Sequence, residues 1–455
     1  VGSACTISQD GDVFFTGVCT ATTLAGSGAN LTALPAANLT GALPAISGAN
    51  LTGIAATDNV RTGILDVAGV STFRNTMNVG AAVTISESGI EASGIGITVA
   101  NINGEAISGR RNIAINGDMR IAQRGTVTGI TNGASAYGGP DRFKTTVVNH
   151  GTYTSSQETD APTGFTHSLK VNTTSADSSL ASSARLYVQH KIEKQDLLQL
   201  KKGTSSAKQL TVQFFVKSDK TGTYVLELWD NVSNRHVSAT YTISSADTWE
   251  QKILTYPADT GGSAYDSSNA NTAGIEFNWW LAAGSNFTSG SLASTWSNND
   301  DTKRVVGITV NVGDSGYWQL AGVQIETGTQ ATAYEYRSFQ EELARCQRYF
   351  QKFDSYSDGH MVAAVGEGSS SCKIGVPLAV PLRASPTVAC GSHRFYRSSS
   401  VSNTTSTDTP SMFHFSSDIF SPVVSLLAGG HTLSNNESGV WTPHNDNHLT
   451  LDSEM

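Results

Sequence analysis

The sequence predicts an all-β fold that is divided into a repetitive N-terminal region and two larger β domains. Three observations predict it: short units recur within residues 1–109, apolar residues alternate with polar ones in many segments of 110–337, and a helical pattern occurs only at 338–353. The remaining stretch, 354–455, is rich in Ser, Asn and Thr and is predicted to be a smaller β-sandwich.

Composition supports this fold class and excludes one class of function. Only 38% of the 455 residues are hydrophobic and 15% are charged, both less than in average soluble domains. Gly, Ser, Thr, Asn and Ala make up the difference, and they suit strands, tight turns and solvent-facing repeats. The net charge of −9, without a basic cluster, repels phosphates, so we expect no nucleic-acid binding.

Targeting signals and metal-binding patterns are not visible in the sequence. No apolar run approaches the length that crosses a bilayer, and no signal peptide is seen, so membrane insertion is not expected. The chain begins at Val1, which leaves room for an upstream part that is missing or processed. Five Cys without a C-x-x-C pair argue against a disulfide framework and a zinc site and fit assembly in a reducing cytoplasm. We predict no metal and no cofactor.

The first 109 residues carry short repeats with one apolar residue in each unit. Asn-Leu-Thr, preceded by Ala, recurs at 30–32, 38–40 and 50–52, and a longer unit at 6–11 is echoed at 84–89. Such units cannot build a core within one chain, so we expect several copies of the chain to bury them together. A disordered Gly/Ala-rich linker is the alternative.

Four segments of the second region place apolar residues at every second position, which is typical of strands with one buried face. They are Leu210, Val212, Phe214 and Val216; Tyr224, Leu226 and Leu228; Ile275, Phe277, Trp279 and Leu281; and Val306, Ile308, Val310 and Val312. Polar loops separate them and no helices alternate with them. A β-sandwich or jelly roll is therefore predicted.

The predicted helix begins with a capping box, in which Ser338 and Glu341 satisfy each other's free amides. Its apolar residues recur at helical spacing: Leu343, Cys346, Tyr349, Phe350 and Phe353. Three copies of the helix around an axis would bury this stripe. Packing of the stripe against the helix's own β domain is the alternative.

Several motifs together resemble the tail fibres of tailed bacteriophages, in particular of marine phages. They are the repeats at 28–53, Arg-Asn-Ile-Ala-Ile-Asn-Gly-Asp-Met-Arg-Ile-Ala-Gln-Arg-Gly at 111–125, Pro-Asp-Arg-Phe at 140–143, Tyr-Trp-Gln-Leu-Ala-Gly-Val-Gln-Ile-Glu-Thr-Gly at 317–328, the helix at 341–352 and the Pro-containing run at 376–388. The resemblance implies a thin shaft of three chains wrapped around one axis. It also implies a carbohydrate-binding-module-like jelly roll, which a helix links to a terminal domain.

The resemblance further implies a receptor-binding protein of the virion that attaches the phage to its host. The expected partners are two other copies of the chain, a host polysaccharide or lipopolysaccharide, and other tail proteins at the N-terminal end. Three equivalent sites would give avidity to weak single-site binding. A polysaccharide depolymerase and a purely structural appendage remain as alternatives.

A glycan site requires aromatic rings for the flat C–H faces of sugars and polar side chains for the hydroxyl groups. Strand parity predicts that Trp279 lies in the core and that its neighbour Trp280 points outward. The alternative is that a loop or a neighbouring subunit covers this second face. The candidate glycan-binding residues are Trp280, Asn278, Glu276, Trp229, Trp296 and Trp441, the last two in predicted polar loops.

No recognisable catalytic motif occurs in the sequence, so no catalytic residue is predicted. Glycan hydrolysis needs two carboxylates across a groove, and Glu276, Glu326, Asp300 and Asp301 are available. We interpret Asp300 and Asp301 as part of a solvated loop, with a calcium-binding loop as the alternative.

Overall fold

The computed structural model describes residues 5–20, 22–23, 25, 77–79, 83–86, 89–92, 101–102, 105–106, 111–266, 268, 270–354, 362–397, 403–416, 422–444 and 447–455. The chain divides into two compact units, residues 1–96 and 97–455. The described elements are almost entirely strands, which confirms the all-β fold class. No helix in these ranges is long and apolar enough to cross a membrane.

The strands that precede residue 110 are short and pair with their sequence neighbours in an antiparallel manner. They are β1 (Cys5–Ile7), β2 (Val13–Phe15), β3 (Met77–Val79), β4 (Val83–Ser86), β5 (Gly89–Ala92), β6 (Asn101–Ile102) and β7 (Glu105–Ala106). The first copy of the longer repeat, 6–11, runs from β1 into a turn, and the described residues of the second copy, 84–89, belong to the paired strands β4 and β5. The Asn-Leu-Thr repeats lie outside the described residues, so the trimeric shaft stays a prediction.

Residues 111–337 form two antiparallel sheets. Their strands are β8 (Val127–Ile130), β9 (Ser135–Tyr137), β10 (Phe143–Val148), β11 (Thr152–Glu158), β12 (Ser168–Ser175), β13 (Arg185–Glu193), β14 (Leu210–Ser218), β15 (Gly222–Asp230), β16 (Arg235–Ile243), β17 (Glu250–Tyr256), β18 (Ala273–Ala283), β19 (Ser297–Asn298) and β20 (Tyr317–Thr327). Short 3-10 helices lie at Lys194–Leu200, Ser285–Phe287 and Asp301–Lys303.

The two sheets enclose one hydrophobic core. The seven-stranded sheet has the order β19-β16-β15-β18-β13-β10-β9, and the six-stranded sheet has the order β17-β14-β20-β12-β11-β8. Phe214 of the smaller sheet contacts Trp279 of the larger one edge to face, with ring centroids 5.8 Å apart. Both side chains are fully buried. This packing is the sandwich that the alternating apolar residues predict.

Three of the four predicted apolar faces are confirmed, since their residues on β14, β15 and β18 are buried in this core. The fourth prediction, a strand at Val306–Val312, is wrong. Gly307 has a φ of 93°, a left-handed conformation that interrupts an extended chain. Residues 304–312 instead cross the edge of the sandwich without strand structure, and Val310 and Val312 fill the core from there.

The two motifs that bracket this domain in the sequence lie side by side in space. The Asn112 side chain donates to the Val323 carbonyl oxygen and accepts from the amides of Ala114 and Ile325. Backbone bonds from Ile113 and Val323 add to this contact between the 111–125 segment and β20. These motifs therefore close the sandwich, because they satisfy buried backbone groups that no neighbouring strand pairs.

The predicted helix is present but shorter, as α1 (Phe339–Gln347), and the Ser338 side chain accepts from the Glu341 amide at its start. Its apolar stripe packs on Ile115 and Ile121 of the same chain. The alternative of packing on its own β domain is therefore confirmed, and this stripe gives no support to an axial helix in a trimer. The helix ends early because the chain enters a strand at Phe350.

The C-terminal region contains a three-stranded sheet, β21-β30-β24, and a seven-stranded sheet, β26-β25-β29-β22-β23-β28-β27. The strands are β21 (Phe350–Asp354), β22 (Val362–Glu367), β23 (Ser371–Pro377), β24 (Thr387–Cys390), β25 (His393–Arg397), β26 (Asn403–Ser406), β27 (Ser411–Ser416), β28 (Val423–Ala428), β29 (Ser438–Pro443) and β30 (His448–Asp452). A second core lies here, which agrees with a smaller terminal β domain.

Ion pairs join this C-terminal region to the sandwich. Arg142, which is fully buried, pairs with Glu454. Arg124 pairs with Asp452 at 3.0 Å, and Arg348 pairs with Glu193 at 2.7 Å. The pairs of Glu454 and Asp452 cross the boundary between the predicted domains 110–337 and 354–455, and Arg348 ties the predicted linking helix to the sandwich, so these parts share a charged, partly buried interface.

We predict that Trp279→Ala destabilises the sandwich by about 3–5 kcal/mol, because it opens a cavity beside Phe143 and Phe214. The measurement is denaturant unfolding of the full chain. As a control, Thr242→Ala on an exposed position of β16 should change the unfolding free energy by less than about 0.5 kcal/mol. Equal effects of the two changes would contradict the assignment of Trp279 to the core.

The core also contains a histidine that should make stability depend on pH. His190 accepts from the Ile115 amide at Nε2 and donates from Nδ1 to the Arg142 carbonyl oxygen, which fixes the neutral ring. Burial, with the nearby charge of Arg142, lowers the pKa of His190 to about 3. The unfolded chain therefore binds a proton below pH 6.5 that the folded chain does not bind.

As the pH falls from 6.5 to 5, we expect His190 to reduce the free energy of unfolding by up to about 1.4 kcal/mol per pH unit. Denaturant unfolding across this window measures the slope. In His190→Gln, which cannot titrate, the slope should be shallower. An unchanged slope in this variant would show that His190 is not the responsible group.

Candidate functional site

The outer face of the seven-stranded sheet, which points away from the core, carries two rows of polar and aromatic side chains across its strands. Register places Tyr137, Lys144, Gln189, Asn278 and Glu227 in one transverse row. It places Lys191, Glu276, Trp229 and His236 in the next row. Side chains alternate between the two faces of a strand, and each of these residues is one position away from a core residue, so all of them point to the outer face.

Hydrogen bonds hold the centre of this face in one arrangement. The side-chain amide of Gln189 donates to Glu276 Oε2 at 2.6 Å and to Asn278 Oδ1 at 3.0 Å. Within the described residues nothing donates to Gln189 Oε1. Lys191 Nζ lies 2.9 Å from Glu276 Oε1. The result is a fixed set of donors and acceptors at the floor of the face.

The structure brings Glu276, Asn278 and Trp229, three of the candidate residues from the sequence, together on this face; that they bind a glycan stays a prediction. Trp229 is half-buried on β15, directly opposite Glu276 on β18. The sequence reasoning missed Lys144, Tyr187, Gln189 and Lys191. Tyr187, Gln189 and Lys191 occupy every second position of β13, and this alternation is the sequence pattern that could have placed them on the outer face. We call the seven residues the candidate site: Lys144, Tyr187, Gln189, Lys191, Trp229, Glu276 and Asn278.

The prediction that Trp280 is exposed is wrong, although its orientation away from the main core is confirmed. Trp280 is fully buried beneath residues 284–309, here called the cover segment, where it packs against Phe287 and Val305. Its ring also contacts Tyr187, with centroids 5.0 Å apart. The alternative in which a loop covers this part of the face is therefore confirmed.

A buried ion pair fixes the cover segment to the sheet. Arg304 donates to Glu227 through Nε at 2.6 Å and Nη2 at 2.8 Å, and its guanidinium carbon lies 4.7 Å from the centroid of the Trp229 ring. Trp280 and Asn278 also donate to Glu227. Burial alone would raise the pKa of Glu227, but the charge and hydrogen bonds of Arg304 outweigh it and lower the pKa.

Trp441 does not lie in a polar loop, and the prediction that it reaches a ligand from one is wrong. It is on β29, is 1% exposed, and packs in the second core. Its indole Nε1 donates to His393 Nδ1 at 3.0 Å. β29 lies between two other strands, which buries Trp441 although its neighbours in the sequence are polar.

Trp296 lies in the cover segment but packs on the edge of the main core, away from the outer face. Its indole donates to the Pro257 carbonyl oxygen at 2.9 Å. With Leu200, Lys202 and Asp259 it lines a small separate pocket that opens to solvent. Whether Trp296 contacts a ligand stays a prediction.

The remaining carboxylates serve the local structure. Asp300 accepts from the Thr302 amide and pairs with Lys303, and Asp301 pairs with Arg304, which confirms an exposed loop at this position. Glu326 is 2% exposed and accepts from Thr332 and Gln324 at the end of β20.

We predict that Arg304→Met lowers the free energy of unfolding by about 3–5 kcal/mol, because it leaves the Glu227 carboxylate buried without its main partner. Lys303→Met is the matched control, since the Lys303–Asp300 pair is exposed, and it should leave the unfolding free energy nearly unchanged. In limited proteolysis, the cover segment of Arg304→Met should be cleaved faster than that of the parent, and the cover segment of Lys303→Met should be cleaved at about the parent rate. Similar behaviour of the two variants would show that the buried pair does not hold this segment.

No protein-family model and no curated protein matches the chain. Three solved structures illustrate the similarities found. The enzymatically active domain of tailspike protein 4 from bacteriophage CBA120 is 14% identical, over 48% of this chain and 21% of that chain, with a TM-score of 0.25. A putative sugar-binding protein from Bacteroides thetaiotaomicron is 12% identical over 48% and 100%, with a TM-score of 0.26.

The third is the CBM22-1 xylan-binding domain of Xyn10C from Paenibacillus barcinonensis, which is 9% identical over 50% of this chain and 100% of that chain, with a TM-score of 0.24. At such low TM-scores these similarities carry no argument about fold or ligand.

Proposed function

We propose that this chain is a glycan-binding subunit of a bacteriophage tail fibre, which attaches the virion to a polysaccharide of the host surface. The single observation that carries the binding part is the candidate site itself. It combines a fixed network of amide, carboxylate and ammonium groups with two half-buried aromatic rings on one face of a rigid sheet.

The chemistry of this site fits a saccharide. Sugar hydroxyl groups both donate and accept hydrogen bonds, and Gln189 Oε1 is an acceptor that no described protein group occupies. The rings of Tyr187 and Trp229 supply apolar surface for C–H faces. Because Gln189, Glu276 and Asn278 are already held by one another, little side-chain entropy is lost on binding.

The setting in a phage tail fibre rests on the sequence motifs. The segments 111–125 and 317–328, whose residues resemble fibre sequences, close the sandwich that carries the site. Homotrimerisation through the N-terminal repeats, location in the virion and attachment to other tail proteins at the N-terminal end belong to the same proposal. Three copies of a weak site then bind a repetitive polysaccharide through avidity.

A depolymerase is the second candidate, because Glu227 and Glu276 lie on adjacent strands of one face. Glycoside hydrolysis needs a carboxyl group that gives up and takes back a proton. Glu227 does not suit that role, since both of its oxygens accept from Arg304 and its pKa is lowered. The geometry favours binding over hydrolysis at this site.

The test is binding of the full chain to an array of bacterial surface polysaccharides. We expect Trp229→Ala to weaken binding about ten-fold for a single site, which corresponds to roughly 1–2 kcal/mol for one aromatic contact. Gln189→Ala should also weaken binding while the fold is kept. The matched control is Trp249→Ala, a half-buried tryptophan beside Lys217 in the region of the six-stranded sheet, which should bind as the parent does.

Three results would contradict the proposal. Failure of the parent chain to bind any polysaccharide would remove glycan binding. Loss of binding in Trp249→Ala, with normal binding in the other two variants, would move the site to the opposite side of the sandwich. Release of reducing ends from a bound polysaccharide would establish the depolymerase instead.

A further inference from the structure

We infer that the glycan bound at the candidate site is anionic, and that Lys144 and Lys191 hold its carboxylate or sulfate-ester group. This inference rests on the proposed function, since it specifies the ligand of the same site. It starts from the placement of two ammonium groups at one end of the polar rows.

The two lysines emerge from neighbouring positions on the outer face. Lys144 of β10 lies directly opposite Gln189 of β13, and Lys191 is two residues further along β13, so it points to the same side. Residues in such a diagonal relation start roughly 7–8 Å apart, within reach of two long side chains that converge on one anion.

The two lysines differ in their partners. Lys191 Nζ lies 2.9 Å from Glu276 Oε1. Lys144 makes no ion pair within 4 Å among the residues that the structure describes, and its Nζ lies 5.5 Å from the centroid of the Tyr137 ring. The carboxylate of Glu276 acts on Lys144 only from a longer distance. Within the described part of the chain, the two ammonium groups therefore share one nearby carboxylate, that of Glu276, and only Lys191 contacts it.

The local charge balance is positive although the whole chain carries −9. Glu227 is neutralised by Arg304, which leaves Glu276 as the one carboxylate of the candidate site against two lysines. Lys144 is half-buried, and burial together with the charge of Lys191 lowers its pKa below the ordinary value. A bound anion would favour the charged form of both lysines.

A neutral sugar would leave the net positive charge of the candidate site uncompensated. An anionic group placed between Lys144 and Lys191 would supply the missing counter-charge in a region where water screens charges only partly. The adjacent Gln189 Oε1, which accepts from no described group, would bind a hydroxyl group of the same sugar. The site therefore favours a residue such as a uronic acid or a sulfated sugar.

The test compares matched oligosaccharides: an oligogalacturonate, its carboxyl-reduced neutral counterpart, and a sulfate ester of that neutral compound. We expect the parent chain to bind one or both anionic compounds at least ten-fold more tightly than the neutral one, and the two anionic arms distinguish carboxylate from sulfate. Lys144→Gln should lose about ten-fold on the preferred anion and under about two-fold on the neutral sugar.

Two controls keep the result interpretable. Lys170→Gln, on the six-stranded sheet beside Tyr317, removes the same charge elsewhere and should bind as the parent does. The affinity of the parent for the anion should fall with added salt, and Lys144→Gln should reduce this dependence.

The failures of the two proposals differ. If the parent binds neutral and anionic sugars equally, or if Lys144→Gln weakens both equally, anion recognition is overturned and the proposed glycan-binding function stands. If the parent binds none of these sugars and no polysaccharide of the array, both proposals are overturned. Selective loss of anion binding in Lys144→Gln, with Lys170→Gln unaffected, supports the inference.

Discussion

The central position of β18 is the constraint on which the rest of the sandwich and the site depend. All its residues from Gly274 to Ala283 are buried, although it separates two faces of very different character. Toward the core, Trp279 packs among other aromatic rings. On the outer face, Trp280 is too large and apolar to be left in water, so the chain needs the cover segment above it.

This covering determines where a ligand has access. The Arg304–Glu227 pair holds the cover segment over one half of the outer face and leaves the half with Lys144 and Lys191, both half-buried, open to solvent. A buried ion pair adds little net stability when compared with apolar packing. Here the ion pair instead fixes the position of the Arg304 guanidinium, which lies against the ring of Trp229, a residue of the candidate site.

Local patterns predicted which face a residue occupies, but they did not predict what covers that face. Period-two alternation correctly separated Trp279 from Trp280, because it follows from the geometry of a single strand. The burial of Trp280 depends on the cover segment, and the meeting of Gln189 with Glu276 depends on pairing between strands 87 residues apart. No local sequence pattern contains such information. Polar neighbours likewise concealed the buried position of Trp441.

The ion pair between Arg142 and Glu454 has a consequence for how the protein is made. Its two residues are 312 positions apart in the sequence. At ordinary bacterial synthesis rates, the ribosome needs roughly 15 to 60 s to travel between them. During that interval the guanidinium of Arg142, in the turn before β10, lacks its carboxylate partner and has the Lys191 carbonyl oxygen as an acceptor within the sandwich. The sandwich therefore completes this ion pair late in synthesis, after the C-terminal strand has left the exit tunnel.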